Sequence, residues 1–441
     1  MKDDSNLSCS LVRVNRLIGW SALVDRTTKK TSVSSRTHDV RMTGFACRSS
    51  VAEAIAWTDS VFPSLKNEKI AIGQSAGRVL AQAITSKVNV PGFHRSMMDG
   101  FAIRTVDIEQ ASESEPVTLR IAGDIYPGTP HSVPLSSKQA IRIMTGAPIP
   151  TGGDAVIPVE DVRVRGDHIL VSRPIAEGKH VGIPGEDVVS GQRVLAAGRQ
   201  IRPQDVGLLS SIGIDAVDVL CKPRVHLVTT GNELLPAGTP PTDFMITDAN
   251  SPMLKSLVVR DGGDVTSAGI VPDNPECILN AFQAEADIII VSGGSSVGLE
   301  DYVPQLLAEH GELGIHGVQM RPSSPVGIGT YKKRIVFLLP GNPVACLCGY
   351  DFFAGRTIRK LTGRGTELPY SRQILPLGEP LVSVEGRKDY VRVQISEGRV
   401  TKSTRQGASM LFSAVQSDGF LIIPEESSSL ANGALVTVDR Y

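Results

Sequence analysis

The chain has 441 residues, 41% of them hydrophobic, and a formal net charge of −1 at pH 7, which predicts several domains with sizeable cores. The near-zero charge argues against nucleic-acid binding, which usually needs a basic surplus. No apolar run reaches the length of a membrane-spanning helix, so we expect no membrane partner. The six cysteines are scattered, which is typical of reduced thiols and a cytoplasmic protein.

The first segment, residues 1–41, is polar, rich in Ser, Thr and Arg, and lacks periodic apolar positions. It has no apolar core of a signal peptide, its acidic residues argue against a transit peptide, and a translation start at Met42 is an alternative. We expect the segment to be disordered or non-native in either case. Order begins where Ser50 and Glu53 form a capping-box pattern, which predicts a helix over about 51–61.

Residues 73–190 contain short strands punctuated by turns, so we expect a β-rich domain there. Two of its loops carry candidate site residues. Asp99 precedes Gly100, and this pair favours a tight turn, so Asp99 is either a turn former or a functional acid. Thr145 follows a strand, and its hydroxyl either binds an oxyanion or satisfies its own turn.

The β-rich domain is flanked by residues 42–72 and 191–221. We expect these two segments to form a helical linker domain. Pro203 begins a helix that closes at Gly213, because Pro is favoured in the first helical turn and Gly just past the end. We expect this helix to pack against the early helix at Val51.

Residues 222–366 alternate strands and helices, a rhythm typical of a doubly wound, mostly parallel sheet. Its clearest strand, 287–291, has consecutive β-branched residues, which indicates burial on both faces. The strand ends in the loop Ser292–Ser296, where two glycines let backbone N–H groups approach an anion. Ligand sites in open α/β sheets lie beyond the carboxyl ends of strands, so we expect this loop at a ligand site; a plain strand-to-helix turn is the alternative.

Three acidic residues, Glu233, Asp273 and Asp301, each follow a different strand of this sheet. Three carboxylates that meet at one edge repel one another unless a cation lies among them, and Mg²⁺ is the usual hard cation. The turn Pro340–Pro343 adds N–H groups at a helix N-terminus, where phosphate binds. These features indicate a phosphorylated or nucleotidylated ligand, although each acid taken alone could be a helix cap or a turn residue.

Residues 367–441 are β-rich again, and we expect a small β-barrel. Within it, Val391, Val393 and Ile395 alternate with Arg392 and Gln394, which indicates a strand. The predicted fold class is therefore α/β plus β: a central doubly wound, mostly parallel sheet, a β-rich insert domain and a C-terminal β-barrel.

The motifs, taken in order, resemble the molybdopterin molybdenumtransferase family, which includes the E domain of gephyrin. The resemblance runs in the family's order from about Ser50 to the C-terminus. The matching stretches are Ser96–Arg104, Arg142–Pro150, Gly185–Asp187, Thr230–Glu233, Ile246–Asn250, Ser292–Tyr302, Leu339–Pro343, Gly386–Val393 and Gln406–Met410.

The resemblance implies a four-domain, L-shaped homodimer, with an active cleft between the molybdopterin-binding α/β domain of one subunit and the β-rich domain of the other. It also implies the reaction: molybdate enters the dithiolene of adenylated molybdopterin, the adenylate is hydrolysed, and molybdenum cofactor and AMP leave. The implied cofactor is Mg²⁺. The adenylyltransferase of the same pathway is an implied partner.

Residue by residue, the resemblance assigns Asp99 and Thr145 as catalytic groups from the β-rich domain. It assigns Glu233, Asp273 and Asp301 as catalytic and metal-binding acids of the α/β domain. The implied cofactor-binding residues are Asp248, Asn250, Ser292, Gly293, Gly294, Ser295, Ser296, Arg321, Ser324, Pro340, Gly341 and Asn342.

One loop departs from the family pattern. Where the family usually has Lys-Pro-Gly-Lys-Pro, this chain has Arg321–Pro325, so the first cation is Arg and the second is Ser324; a further lysine upstream falls at Gly317. Each lost charged hydrogen bond weakens an anion site by roughly 1–3 kcal/mol, and Arg presents its donors differently from Lys. The departure leaves two alternatives to a molybdate insertase: a carrier or scaffold that binds molybdopterin or finished cofactor without turnover, and a tungstate-specific insertase.

Overall fold

The computed structural model describes residues 45, 47–62, 66–129, 134–295, 298 and 301–441. All of them belong to one compact unit of the chain, residues 39–441. The expectation for residues 1–41 lies outside the described residues. Within the described part, no helix is both long enough and apolar enough to cross a membrane.

The first helix, α1 (Val51–Ser60), begins where the capping box was predicted. The Ser50 hydroxyl accepts a hydrogen bond from the Glu53 amide at 3.1 Å, and the Glu53 carboxylate accepts one from the Ser50 amide at 2.7 Å. Both bonds satisfy amides that the helix itself leaves unpaired, so they fix the start of α1.

Short strands make up most of the next 160 residues or so, with one α-helix near the end. The elements are β1 (Asn67–Ala71), β2 (Ile84–Thr85), β3 (Arg95–Ser96), β4 (Gly100–Ile103), β5 (Val117–Ile125), β6 (Gln139–Ile143), β7 (Ala155–Pro158), β8 (Val162–Arg165), β9 (His168–Val171), β10 (Val181–Gly182), β11 (Arg193–Leu195), α2 (Pro203–Ser211) and β12 (Ala216–Leu220).

These elements enclose three buried clusters, one between small paired strands and two on the faces of a larger sheet. The antiparallel pairs β1–β12 and β2–β11 pack with α2 around Leu80, Leu209 and Val219. The prediction that α2 packs against α1 is wrong: Val51 and Ala54 of α1 are buried in the core of the α/β domain instead. The helical periodicity of α1 predicts that it has a buried face, but it carries no information about which domain covers that face.

The β-rich segment forms a six-stranded sheet in the order β7-β4-β6-β5-β9-β8. One face is covered by a cluster around Phe101, Leu119 and Ile157, and the other by a cluster around Ile125 and Ile141. Asp99 lies on the loop that leads into β4 of this sheet, and Thr145 lies on the loop that follows β6.

The α/β segment alternates strands and helices as predicted. Its elements are β13 (Arg224–Thr230), β14 (Leu234–Leu235), β15 (Ile246–Thr247), α3 (Asn250–Asp261), β16 (Asp264–Val271), α4 (Pro275–Ala281), β17 (Ile288–Ser292), α5 (Val303–His310), β18 (Glu312–His316), β19 (Met320–Arg321), β20 (Gly327–Tyr331), β21 (Arg334–Leu339), α6 (Pro343–Gly349), a π-helical turn (Tyr350–Ala354) and α7 (Gly355–Leu361).

The main sheet has the order β16-β13-β17-β21-β20-β18. The first four strands are parallel, β20 runs antiparallel to β21, and β18 runs antiparallel to β20. Side chains alternate across β17: Ile288 and Ile290 enter the core on one face, and Ile289 and Val291 enter the core on the other. The chain passes from β13 outward to β16 and then returns to place β17 on the opposite side of β13. The gap between the carboxyl ends of β13 and β17 is therefore the topological switch point, where such sheets bind ligands.

The C-terminal segment contains β22 (Ser371–Pro376), β23 (Leu381–Val382), β24 (Lys388–Ser396), β25 (Arg399–Lys402), α8 (Leu411–Val415), β26 (Gly419–Ile423), β27 (Ser429–Leu430) and β28 (Leu435–Arg440). Hydrogen-bonded neighbours run β25-β24-β26-β28-β22. Leu377, just beyond β22, forms a bridge to Val400 in β25, which closes the sheet into a ring around an apolar core.

Candidate active site

A cavity of about 570 Å³ lies beyond the carboxyl ends of β13 and β17, at the switch point. Most of its lining comes from residues that the sequence singled out. These are Glu233, Asp248, Asn250, Asp273, Ser292, Gly293, Gly294, Ser295, Asp301, Pro340, Gly341 and Asn342. The topology thus brings together side chains from five separate loops of the α/β domain.

Glycine is required at the start of the loop after β17. Gly293 has φ +98°, and a Cβ there would lie 2.2 Å from the Thr230 carbonyl oxygen. The Gly293 amide and the Ser295 hydroxyl both donate to the carbonyl of Leu339, at 3.2 and 3.1 Å. Within the described residues, the amides of Gly294 and Ser295 have no hydrogen-bond partner, so they are available to an anion.

The first turn of α6 is capped by a loop from another domain. The amides of Val344 and Ala345 both donate to the carbonyl of Ala408, at 2.9 and 3.3 Å. A loop of the C-terminal barrel therefore caps this helix, and these two amides are not free for phosphate. The amides of Gly341 and Asn342, which line the cavity, have no partner in the described part of the chain.

The entry to α3 is built from polar side chains that fix the cavity wall. Asp248, one residue before the N-cap, accepts hydrogen bonds from the amides of Asn250 and Ser251, at 2.9 and 3.0 Å, and so satisfies two amides of the first turn. The Asn250 amide group donates to the Ser292 hydroxyl at 2.8 Å and to the Gly341 carbonyl at 2.7 Å. One buried side chain therefore holds three loops of the cavity together.

The three predicted metal ligands line the cavity, but they are held separately. Asp273 accepts a hydrogen bond from the Asn232 amide at 3.0 Å, and Asp301 accepts one from the Gly298 amide. No group of three or more His, Cys, Asp or Glu side chains in the described residues is arranged to hold a metal ion. The assignment of Glu233 as a metal ligand with the other two acids therefore stays a prediction.

Asp99 and Thr145 form a pair in the β-rich domain, and neither lines the cavity. Thr145 donates both its amide (2.7 Å) and its hydroxyl (2.8 Å) to one oxygen of Asp99. The hydrogen bond from the Thr145 amide and, to a smaller extent, the one from its hydroxyl hold the pKa of Asp99 below its ordinary value, although the carboxylate is exposed. The hydroxyl of Thr145 thus donates to Asp99 and not to its own turn, and its binding of an oxyanion stays a prediction.

The loop Arg321–Pro325 contributes lining residues to two different cavities. Arg321 lines a second cavity of about 270 Å³ against the C-terminal barrel, and Pro325 lines the main one. The Ser324 hydroxyl donates to the Val318 carbonyl at 3.2 Å, so it is engaged by the backbone. Ser296, predicted as a ligand-binding residue, lies outside the described residues.

Arg392 was not among the predicted site residues. Its side chain is only 1% exposed, which is unusual for a charged residue in a strand. One guanidinium nitrogen donates to the carbonyls of Arg405 and Gly407, and the other two have no partner within the described residues. Arg392 thereby shapes the loop that carries Ser409 into the main cavity. The only signal in the sequence was a charged residue between two core valines.

The fold and the cavity define a multidomain protein whose α/β domain carries a ligand site at its switch point. The description "Probable molybdopterin binding domain" matches residues 226–360, "MoeA N-terminal region (domain I and II)" matches 49–213 and "MoeA C-terminal region (domain IV)" matches 375–440. These matches cover most of the chain. The chain belongs to the MoeA family of molybdopterin molybdenumtransferases, enzymes of molybdenum cofactor biosynthesis, which confirms the resemblance seen in the sequence.

Individual relatives support the same family assignment. The molybdopterin molybdenumtransferase of Haemophilus influenzae is 33% identical, over 86% of this chain and 95% of its own length. That of Synechococcus elongatus is 31% identical, over 84% and 94%. The crystal structure of a molybdopterin biosynthesis MoeA protein from Pyrococcus horikoshii OT3 is similar with a TM-score of 0.73 and 30% identity, and covers 90% of this chain and 100% of that one.

Proposed function

We propose that the chain inserts molybdate into the dithiolene of adenylated molybdopterin and releases AMP and molybdenum cofactor. The observation that carries the proposal is the cavity at the switch point, which gathers four acids and four backbone amides that have no partner among the described residues. Amides at strand and helix ends bind phosphate oxygens, and a nucleotide-capped pterin supplies those oxygens.

In this proposal the amides of Gly294, Ser295, Gly341 and Asn342 bind the phosphate groups of the substrate. Because these N–H groups have no other partner in the described structure, binding breaks no hydrogen bond among the described residues. The bond network around Asn250 holds the loops in place before the substrate arrives. Preorganised donors of this kind stabilise charge that develops on phosphate as the AMP group leaves.

We propose Mg²⁺ as the cofactor, held by one or two of Glu233, Asp273 and Asp301. The donor set fits this ion, because Mg²⁺ is usually bound through one or two carboxylates together with water and substrate phosphates. A full protein cage is therefore not needed. When bound, the ion neutralises charge on the phosphate oxygens.

We propose that Asp99 and Thr145 act in the cavity of a second subunit. The pair is exposed, ordered by two hydrogen bonds, and absent from the cavity lining of its own chain. A homodimer with a shared cleft gives these residues a role that the single chain does not. The substrate is then delivered by an adenylyltransferase of the same pathway, in the cytoplasm.

The test is release of AMP by the purified chain from adenylated molybdopterin in the presence of molybdate and Mg²⁺. We expect AMP, measured by chromatography, to depend on molybdate and on the metal ion, and to fall to background with a chelator. Repeating the assay with tungstate distinguishes an insertase that prefers that anion.

A carrier without turnover is the second candidate, and Ser324 favours it. In the family pattern this position is a lysine, whereas here the hydroxyl is bound to the Val318 carbonyl and supplies no positive charge. Binding of adenylated molybdopterin without AMP release above background would support the carrier and overturn the insertase.

A further inference from the structure

His316 lies beside the glycine loop although it belongs to a different part of the sheet. It is the last residue of the edge strand β18, and its Nε2 atom is 3.3 Å from the carbonyl oxygen of Ser295. A carbonyl can only accept a hydrogen bond, so Nε2 carries the proton and the neutral ring is the Nε2–H tautomer.

The ring is held in place from the other side as well. Phe45 packs edge-on against it with ring centroids 4.9 Å apart. Ser49, four residues later in the chain, donates its amide to the Gly317 carbonyl at 3.0 Å and accepts from the Gln319 amide at 2.8 Å. The segment before α1 therefore covers His316 and fixes its orientation.

Ser295 is the last residue of the loop before its path leaves the described residues. It is anchored at two points: its hydroxyl donates to Leu339, and its carbonyl accepts from His316. The first anchor holds the side chain, and the second holds the carbonyl on the C-terminal side of Ser295. Rotation about the Ser295 backbone turns the amides that precede this carbonyl, so the bond to His316 helps to fix the directions of the Gly294 and Ser295 amides.

From this geometry we infer that His316 is a positioning residue, which fixes the glycine loop so that its amides are preorganised for the phosphate groups of the substrate. The inference deepens the proposed function and rests on it for the kinetic part of its test. His316 itself does not line the cavity and needs no contact with substrate.

The surroundings keep the ring neutral. Burial lowers the pKa of His316, against the opposite effects of the Ser295 carbonyl and the Asp301 carboxylate. Arg48, which lies over the Phe45 ring at 5.3 Å, is the nearby cation on the covering segment. Either protonation state of the ring retains the Nε2–H donor, so the role is one of hydrogen bonding and not of proton transfer.

The test compares two substitutions in the full chain. His316→Gln keeps an N–H donor at the reach of Nε2, and His316→Leu removes it with little change in volume. We expect His316→Leu to raise the KM for adenylated molybdopterin about fivefold, the equivalent of one hydrogen bond, with a smaller change in kcat. His316→Gln should restore most of the loss, and His310→Gln, an exposed histidine on α5, should match the wild type.

Two further measurements need no substrate, so they test whether His316 fixes the glycine loop even if the proposed function fails. Hydrogen exchange at the Gly293 amide, which donates to the Leu339 carbonyl, should be faster in His316→Leu and restored in His316→Gln. The ¹⁵N spectrum of the wild-type ring should show the Nε2–H tautomer. An Nδ1–H tautomer would overturn the inference, as would equal loop exchange in all variants or a Gln variant as impaired as the Leu variant.

Discussion

The carboxylate of Asp99 accepts two hydrogen bonds from Thr145, one from the amide at 2.7 Å and one from the hydroxyl at 2.8 Å. The two residues lie on different loops of the β-rich sheet, so the pair joins those loops. Both donors stabilise the ionised carboxylate and hold its pKa below the ordinary value. The pair is therefore an exposed acid that stays charged under mildly acidic conditions.

Replacing Thr145 by Val should raise the pKa of Asp99, because the hydroxyl donor is lost while the amide donor stays. If the charged form is needed for turnover, the acidic limb of the pH–rate profile moves to higher pH in Thr145→Val. Thr145→Ser, which keeps the hydroxyl, is the matched control and should retain the wild-type profile. The pKa is measured by NMR titration of the carboxylate; an unchanged value in Thr145→Val would contradict the assignment.

Removing the charge of Asp301 should abolish AMP release and leave the chain folded. Asp301→Asn is the sharper variant, because an amide oxygen can still accept the hydrogen bond from Gly298 that Asp301 accepts. We expect at least a hundredfold loss of kcat in both Asp301→Asn and Asp301→Ala, as for removal of other preorganised electrostatic groups. Size-exclusion chromatography and thermal unfolding check the fold. Wild-type turnover in either variant would remove Asp301 from the mechanism.

The cavity could be predicted from the sequence because each of its acids follows a strand. Glu233, Asp273 and Asp301 each follow a strand, and the carboxyl ends of parallel strands meet at one edge, so their arrival at a common cavity follows from topology. The double glycine after β17 also pointed to this loop from the sequence alone. The structure adds the reason for Gly293, because the close approach to Thr230 leaves no room for a side chain.

Contacts between distant segments were not predictable in the same way. The carbonyl of Ala408 caps α6 from another domain, and nothing near Val344 in the sequence indicates it. The burial of Arg392 is of the same kind, because alternation with Val391 and Val393 indicates a strand but not what covers each face. The loop that covers Arg392 accepts hydrogen bonds through the Arg405 and Gly407 carbonyls, which offsets part of the cost of burying the charge.

Restoring the family lysine at Ser324 should strengthen anion binding. The new ammonium group adds a positive charge to the loop that lines both cavities, at the loss of only the neutral bond from Ser324 to Val318. One charged hydrogen bond contributes roughly 1–3 kcal/mol, so we expect the KM for molybdate to fall between about fivefold and a hundredfold in Ser324→Lys. Ser114→Lys, which adds the same charge at an exposed position of the β-rich domain, controls for net charge. An unchanged KM would show that this loop does not bind the oxyanion.

The buried carboxylate of Asp205 should make part of the stability depend on pH. Asp205 accepts hydrogen bonds from Arg199 at 2.9 and 3.0 Å and from the Arg202 amide at 2.9 Å, and these partners hold its pKa well below the ordinary value of 3.8. A lowered pKa contributes stability that is fully present above about pH 4 and is lost as the pH falls toward the lowered value. We expect Asp205→Asn to cost about 1–3 kcal/mol at pH 7 and progressively less below pH 4, by urea unfolding. Asp215→Asn, at an exposed position, should show no such dependence.

Alanine at Gly293 should disturb the cavity more than alanine at Gly341, although both glycines line it. A Cβ at position 293 would lie 2.2 Å from the Thr230 carbonyl oxygen on a backbone with φ +98°, whereas one at 341 would meet only the Gly293 Cα at 3.7 Å, an ordinary contact. Because the clash and the backbone strain both fall on the loop, we expect Gly293→Ala to lose about 1–3 kcal/mol of stability and most turnover. Gly341→Ala should stay close to the wild type in urea unfolding and AMP release. Equal behaviour of the two variants would mean that the loop after β17 can move away from Thr230 at no cost.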